Sequence, residues 1–335
     1  MQPTRVLVIR FSSIGDIVLT LPAVQALREA LVGEVEIHFL TKAPFASLPE
    51  LLGPMDRVHT IEKTTLEVTD ELKALDFDYI VDLHQNLRSR RVRGQLGDAV
   101  AFALRKSNWA KLGLVRGWRK APVPHIVERY VDVMAAFGAS LPSGWPGAPS
   151  DPGKPARERT GLAVAVGAAH AGKAIPPDHV ATVLNQFVQA GHGSVVLLGG
   201  PADRPTAQSI LDGLNQEAAA ATTDLVGATT LAESFEVVRR AEVVLAGDTG
   251  LMHLAAAART PVIAVWGCTR PSLGMEAWRP APGSANLLPT GRGERPCSKL
   301  GDRCRHGRDP GCTRHVHPDR IYQAIVHSLA NHKSA

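Results

Sequence analysis

Short β-branched apolar runs alternate with longer stretches of helical periodicity along most of the chain. The runs Val6–Arg10, Glu36–Leu40, Arg57–Ile61 and Tyr79–Asp82 have the length and composition of strands, and a helix is expected over Ile17–Leu31. The second half repeats the pattern with strands at Leu162–Val166, Ser194–Leu198, Leu225–Val226, Val243–Ala246 and Val262–Trp266. Helices are expected there over Pro177–Ala190, Arg204–Asn215, Leu231–Arg240 and Leu251–Ala258. Such alternation produces α/β architecture, in which parallel strands are joined by crossover helices. The longest apolar runs are strand-length, well short of the roughly 20 residues that cross a bilayer.

At 335 residues the chain outgrows a single core, and two domains are expected. Five prolines and four glycines between Gly138 and Arg159 exclude a helix or central strand there. The expected division is therefore an N-terminal domain over 1–145, a linker over 146–160, a C-terminal domain over 161–317 and a closing helix over 318–335.

The net charge of +5 and pI near 9.2 are modest, but the basic residues are unevenly placed. Arg88, Arg90, Arg91 and Arg93 cluster, followed by a second group from Arg105 to Lys120. This band suits a phosphorylated membrane surface or an anionic saccharide, and equally a plain solvated face. Its arginines are not interleaved with stacking aromatics, which argues against a nucleic-acid partner. Four cysteines do not make a secreted disulfide framework, and no charged, apolar leader precedes the first strand, so the expected compartment is the cytoplasm.

Two turns carry the strongest chemical signals. Ser12-Ser13-Ile14-Gly15-Asp16 follows the first strand, and Asp248-Thr249-Gly250-Leu251-Met252-His253 follows Val243–Ala246. Turns of this kind lie at the carboxyl ends of strands, where α/β proteins bind ligands. One in each half points to a cleft between two domains. In the first turn, Gly15 permits close backbone approach, while Ser12 and Ser13 can cap a helix or donate to oxyanions. Asp16 is either a helix N-terminal carboxylate favoured by the macrodipole or an ionised general base. In the second, Thr249 and Gly250 offer free amides for a diphosphate, with His253 one turn farther as a further donor.

Two weaker turns follow. Gly167 to Lys173 ends the first strand of the second half, and Lys173 can neutralise phosphate charge. Gly199-Gly200 leads to Asp203, which either accepts from ribose hydroxyls or caps a helix. Asp76-Phe77-Asp78 has the spacing of a metal-binding carboxylate pair but reads as a turn into a strand. No G-x-G-x-x-G follows the first strand, against a dinucleotide enzyme. Cys297, Cys304 and Cys312, with His306, His315 and His317 nearby, lack the close C-x2-C pairs of a structural zinc site, so no metal is expected.

Taken together, the chain resembles glycosyltransferase family 9, the ADP-heptose:lipopolysaccharide heptosyltransferases. The resemblance rests on RFSSIGDIVLTLPAVQALR, the Asp248-Thr249-Gly250 turn with His253, Gly199-Gly200, the Pro261–Gly267 strand, His125 with Arg129-Tyr130, and the cysteine-bearing tail. It implies a GT-B fold, two Rossmann-like domains with parallel sheets facing across a central cleft, and a final helix packing back toward the first domain. It further implies that Asp16 is the base of an inverting, metal-independent transfer of heptose from ADP-heptose to the inner core of lipopolysaccharide. Lys173, Thr249 and Gly250 would then hold the diphosphate, and Asp248 and His253 would contact the donor sugar or order the turn. Arg88, Arg91, His125 and Arg129 would face the acidic acceptor. No cofactor beyond the nucleotide-sugar is implied, and the inner membrane becomes a peripheral partner.

The chain departs from the family pattern where Ala174-Ile175-Pro176 replaces a basic residue and Trp-Pro, and where Asp203 stands in place of a common Glu. Another nucleotide-sugar donor, a non-hydrolysing sugar-nucleotide epimerase and a non-catalytic nucleotide-sugar binder are the alternatives.

Overall fold

The apolar runs become the central strands of two parallel sheets in a computed structural model that describes residues 3–141, 159–307 and 311–333. The chain divides into two compact units, one drawn from Met1–Ser107 and Pro124–Pro149, the other from Asn108–Val123 and Ser150–Ala335. The segment 108–123 therefore joins the second unit, although the expected boundary put it in the first. The expected linker lies outside the described residues up to position 158.

In the first unit β1 (Thr4–Ile9), β2 (Val35–Lys42), β3 (Arg57–Ile61), β4 (Tyr79–Asp82) and β5 (Val100–Ala103) pair in the order β3-β2-β1-β4-β5, all parallel. Val6 of β1 is in register with Ile37 on one side and Tyr79 on the other. Strands covered by helices on both faces need apolar side chains in both directions, which is why Val6 to Ile9 is an unbroken apolar run and fully buried. Leu7, Ile9 and Phe11 pack with Leu40, Ile80 and Val92 in this core.

The second unit holds β6 (Leu162–Ala165), β7 (Val195–Leu198), β8 (Thr222–Asp224), β9 (Val243–Gly247), β10 (Val262–Val265) and β11 (Ala285–Leu287) in the order β11-β10-β9-β6-β7-β8. Both sheets reverse their winding direction once, between β1 and β4 in the first and between β6 and β9 in the second. Crevices outside the carboxyl ends of strands at such reversals are where open α/β sheets take ligands.

The expected helix Ile17–Leu31 divides into Ile14–Val18 and Leu21–Ala30. Pro22 sits in the first turn of the second helix, where its missing N–H is tolerated, and it cannot continue the first one. The strand expected at Leu225–Val226 forms three residues earlier, where Thr222–Asp224 aligns with β7. Asp76-Phe77-Asp78 is the turn into β4: Asp76 adopts a left-handed φ of 51°, and Asp78 accepts from the Arg5 amide at 2.8 Å.

The final helix, Pro318–Lys333, packs one face on the second unit's core. Ile321, Ile325 and Leu329 recur every four residues, so they share one helical face, and all three are buried in the second unit's core. Their partners there include Leu184 and Phe187 of the helix Pro177–Gln189. Burying each of these side chains contributes about 2 kcal/mol, which ties the helix to that core.

Candidate functional site

At the β1/β4 reversal the chain builds a charged cluster around Asp16. Arg10 leaves the end of β1 and pairs with Asp16 at 2.7 Å, while the same guanidinium donates to the Leu83 carbonyl beyond β4 at 2.7 Å. Ser13 caps the short helix, and both its amide and its hydroxyl donate to Asp16 Oδ2, at 3.3 and 3.0 Å. Burial by itself would raise the Asp16 carboxyl, but the Arg10 cation and the Ser13 donors outweigh it and hold it below the usual carboxylate range. The Asp16 side chain remains 22% exposed. It is ionised, aimed and still open to solvent, with lone pairs beyond those its neighbours occupy. Asp16 closes the helix N-terminus and keeps a partly accessible carboxylate. Gly15 is buried beneath it, and Ser12 is half-buried.

Two further groups at this edge carry no local signal in the sequence. His84 follows β4 with its ring edge-on to Phe11 at 5.4 Å between centroids. Burial, then the neighbouring Arg10 cation, push this imidazole down to about 4, so it is neutral at physiological pH. Arg10 itself lies over the Tyr130 ring, 6.0 Å from its centroid, with a side chain 11% exposed.

The residues expected to meet an acceptor are distributed along the same unit. His125 is buried and caps the helix Ile126–Met134: its Nδ1 accepts from the Val127 amide at 3.2 Å, and its own amide donates to Glu128 at 3.0 Å. Arg129, on the next turn, donates to the Arg105 carbonyl at 2.6 Å. Arg105, Arg129 and Asp132 line a cavity of about 570 Å³ with Phe102, Pro124 and Val133, at the carboxyl end of β5. Arg88 and Arg91 are exposed on the helix Leu87–Gln95, whereas Arg93 of the same helix turns inward to the fully buried Asp82 at 3.5 Å. The basic band therefore contains one structural arginine among solvated ones.

At the β6/β9 reversal, Lys173 and Asp248 meet. The Lys173 ammonium pairs with Asp248 at 2.8 Å, joining the loop after β6 to the turn after β9. Gly247 makes the approach possible, because a Cβ there would lie 2.3 Å from the Lys173 carbonyl oxygen. Thr249 then caps the helix Gly250–Ala257, whose first amides have no acceptor within the helix. Thr249 Oγ1 is buried without a hydrogen-bond partner among the described residues. Unspent amides, an orphaned hydroxyl and an ammonium with two of three protons left over make an anion cradle. His253 is buried one turn farther on, at 4% exposure.

Gly199, Gly200 and Asp203 form a tighter unit than a ligand loop. Asp203 Oδ2 accepts from the Gly200 amide at 2.8 Å, and a Cβ on Gly167 or Gly199 would come within 2.0 or 3.0 Å of the Asp203 side chain. Those two glycines make room for Asp203, which packs against the loops after β6 and β7. Its carboxylate closes the turn Pro201–Asp203 through the Gly200 amide and accepts no amide of the helix Arg204–Leu211 that follows.

The C-terminal cysteines converge in space although the sequence holds no close pair of them. Cys297, Cys304 and Cys312 converge with Cys268, and their four sulfur atoms all lie within 4.8 Å of one another. Cys268 stands beyond the end of β10, 29 residues before Cys297, so the group has no local motif. The histidines turn elsewhere: His315 meets Arg292, and His317 meets Asp319.

Comparison with known proteins agrees with this architecture. The sequence model described as glycosyltransferase family 9 (heptosyltransferase) matches residues 65–306. Lipopolysaccharide heptosyltransferase 1 of Pseudomonas aeruginosa is 27% identical over 294 residues, covering 80% of this chain and 79% of that protein. Lipooligosaccharide heptosyltransferase 2 of Haemophilus influenzae is 33% identical over 96 residues, so this chain spans only 28% of its length in the alignment. The solved structure of E. coli ADP-heptose lps heptosyltransferase II superposes with a TM-score of 0.77 at 21% identity, covering 99% of this chain and all of that one.

Proposed function

The chain belongs to glycosyltransferase family 9 and shares the two-sheet GT-B fold, and from that premise we propose that it is an inverting heptosyltransferase that moves heptose from ADP-heptose to the lipopolysaccharide inner core. One observation carries the reading: each sheet puts opposite chemistry at its winding reversal, an anchored ionised carboxylate in the first unit and a cationic, amide-rich turn in the second.

In the proposed reaction Asp16 takes the proton of an acceptor hydroxyl as its oxygen attacks the anomeric carbon. The bond from that carbon to the diphosphate breaks with its electron pair staying on ADP, and the configuration inverts. A carboxylate held as acidic as Asp16 is a weak base toward a resting alcohol. It becomes competent as the attacking oxygen gains positive charge, so proton transfer is late. Arg10 keeps the base ionised and aimed between turnovers. The charge arriving on the diphosphate is met by Lys173 and the Thr249 and Gly250 amides, which need no reorganisation to receive it. Asp248 holds the lysine in place and leaves ammonium protons for phosphate oxygens.

The acceptor is proposed to meet Arg88 and Arg91 and the cavity lined by Arg105 and Arg129, whose cations suit carboxylate and phosphate groups of an inner core. The enzyme is proposed to work in the cytoplasm, with peripheral contact to the inner membrane. No described helix is long and apolar enough to cross a membrane. Trp109 and Trp118, 83% and 75% exposed among the exposed cations Arg116, Arg119 and Lys120, would suit an anionic headgroup layer.

Calorimetry with a panel of nucleotide-sugars, followed by transfer onto truncated lipopolysaccharide, tests the assignment. Preference for ADP-heptose with acceptor-dependent ADP release supports it. Turnover of nucleotide-sugar alone, without acceptor, would instead indicate an epimerase.

A further inference from the structure

All four cysteines of the chain meet at one point. The Sγ–Sγ separations are 3.5 Å for Cys304–Cys312 and 3.8 Å for Cys297–Cys312. A tetrahedron with metal–sulfur bonds of ~2.3 Å has edges of about 3.8 Å, whereas a disulfide holds its sulfurs at about 2.05 Å. The thiols are thus spaced as ligands of a shared ion. Packing of cysteines as small apolar groups would not require every cysteine in the chain, from four separated positions, to aim its sulfur at the same point. Histidines and carboxylates are absent from the group, and an all-sulfur tetrahedral set selects zinc or iron over magnesium or calcium.

The surroundings fit an anionic centre. Arg270, two residues past Cys268, is 1% exposed, and its guanidinium donates to the carbonyls of Gly267, Thr269 and Gly293. A buried cation with no carboxylate partner among the described residues, at the edge of the cluster, offsets the excess charge of four thiolates around a divalent ion. Cys304 is only partly buried, which leaves an entry path for the ion.

From these residues we infer that Cys268, Cys297, Cys304 and Cys312 bind one thiophilic metal ion, zinc or iron, in a structural tetrathiolate site that braces the Lys173 loop. The bracing follows from contacts already in place. The Cys268 amide donates to the Gly172 carbonyl at 2.7 Å, the Gly172 amide donates to the Gly301 carbonyl at 3.1 Å, and the Cys297 amide donates to the Cys268 carbonyl at 2.7 Å. Gly172 has no room for a side chain, because a Cβ would lie 2.4 Å from the Gly301 oxygen and 2.9 Å from the Cys268 sulfur. Gly301 takes a left-handed φ of 85° as the 297–304 loop passes the Lys173 stem. Tying that loop to the end of β10 therefore fixes the residue that pairs with Asp248. The ion would be present whatever the chain transfers, and only its effect on donor affinity rests on the transferase assignment.

The test is elemental analysis of the full-length protein, purified with reductant and without chelator. The expected result is one zinc or one iron per chain, zinc leaving a colourless protein and iron giving thiolate charge-transfer absorption in the visible. Cobalt(II) substitution should then give the intense visible bands of a tetrahedral thiolate site. Cys304→Ser, at the most exposed ligand, should weaken metal retention at least about 100-fold against a chromogenic chelator, beyond the ~10- to 100-fold typical of an outer-shell change. Cys268→Ser is the second variant and reads the buried side of the site. Removing the ion should lower the melting temperature and weaken nucleotide-sugar binding while Asp16 chemistry is untouched. Metal-free protein whose four thiols all alkylate in the native state, or which carries disulfides among them, would overturn the site. A metal-loaded protein that transfers no sugar would instead leave the site standing and remove the transferase reading.

Discussion

The Lys173–Asp248 pair offers the sharpest physical test of the donor turn. At 2.8 Å and an effective dielectric near 20, the Coulomb attraction is about 6 kcal/mol, against a desolvation cost of several kcal/mol for groups this buried. The side chains are 19% and 8% exposed, so solvent screens the pair only in part. A net coupling of about 2–3 kcal/mol is expected, and breaking the pair from one side should cost more than removing it whole. Lys173→Met leaves Asp248 as an uncompensated buried carboxylate, and Asp248→Asn leaves a buried ammonium. The double variant leaves neither charge.

A double-mutant cycle in urea, with calorimetric titration of nucleotide-sugar on each variant, separates stability from binding. The single variants should each lose about 3 kcal/mol of stability, and the double variant should lose clearly less than their sum. Donor binding should fall in both variants lacking Lys173, because the phosphate loses its cation whether or not Asp248 is present. Additive stabilities, or full donor affinity in Lys173→Met, would refute the account of this turn.

Replacing Arg10 by Met removes the cation that holds Asp16 acidic, so the acid limb of the pH–rate profile should move to higher pH; an unmoved limb would mean that Asp16 is not the titrating base. Gly247→Ala should destabilise by about 1–3 kcal/mol and weaken donor binding, since the new methyl group collides with the Lys173 carbonyl; a neutral change in both melting temperature and calorimetry would contradict that packing. His84 is depressed in the folded state, so its contribution to stability is complete above the unfolded value near 6.5 and is lost as pH falls toward about 4. His84→Gln should therefore reduce the loss of urea stability between pH 7 and 4 by about 1–3 kcal/mol, and an unchanged pH slope would argue against the buried neutral imidazole.

Much of the architecture is legible in one dimension because parallel strands buried on both faces must be apolar throughout. Val6–Ile9, Val195–Leu198 and Val262–Val265 announce themselves for that reason. The edge strands Val100–Ala103 and Ala285–Leu287 do not, being short and half-solvated. The two turns around Asp16 and Thr249 are readable as glycine-bearing breaks at strand ends. What the glycines accommodate is not: Gly167 and Gly199 yield space to Asp203, and Gly247 yields it to the Lys173 backbone, contacts made only on folding. Arg10 and His84 acquire their meaning from β1 and β4 lying side by side, although 73 residues separate Arg10 from Leu83. Cys268 is the clearest case, since it stands 29 residues before Cys297 with β11 between them, and that separation leaves no spacing to recognise.

The central claim is that Asp16 is the base that activates an acceptor for attack on a nucleotide-sugar held at Lys173, Thr249 and Gly250. Single-turnover transfer by Asp16→Asn, with donor binding followed by calorimetry on the same preparation, tests it most directly. The account predicts loss of sugar transfer with donor affinity nearly intact. Undiminished transfer by the Asn variant would contradict it.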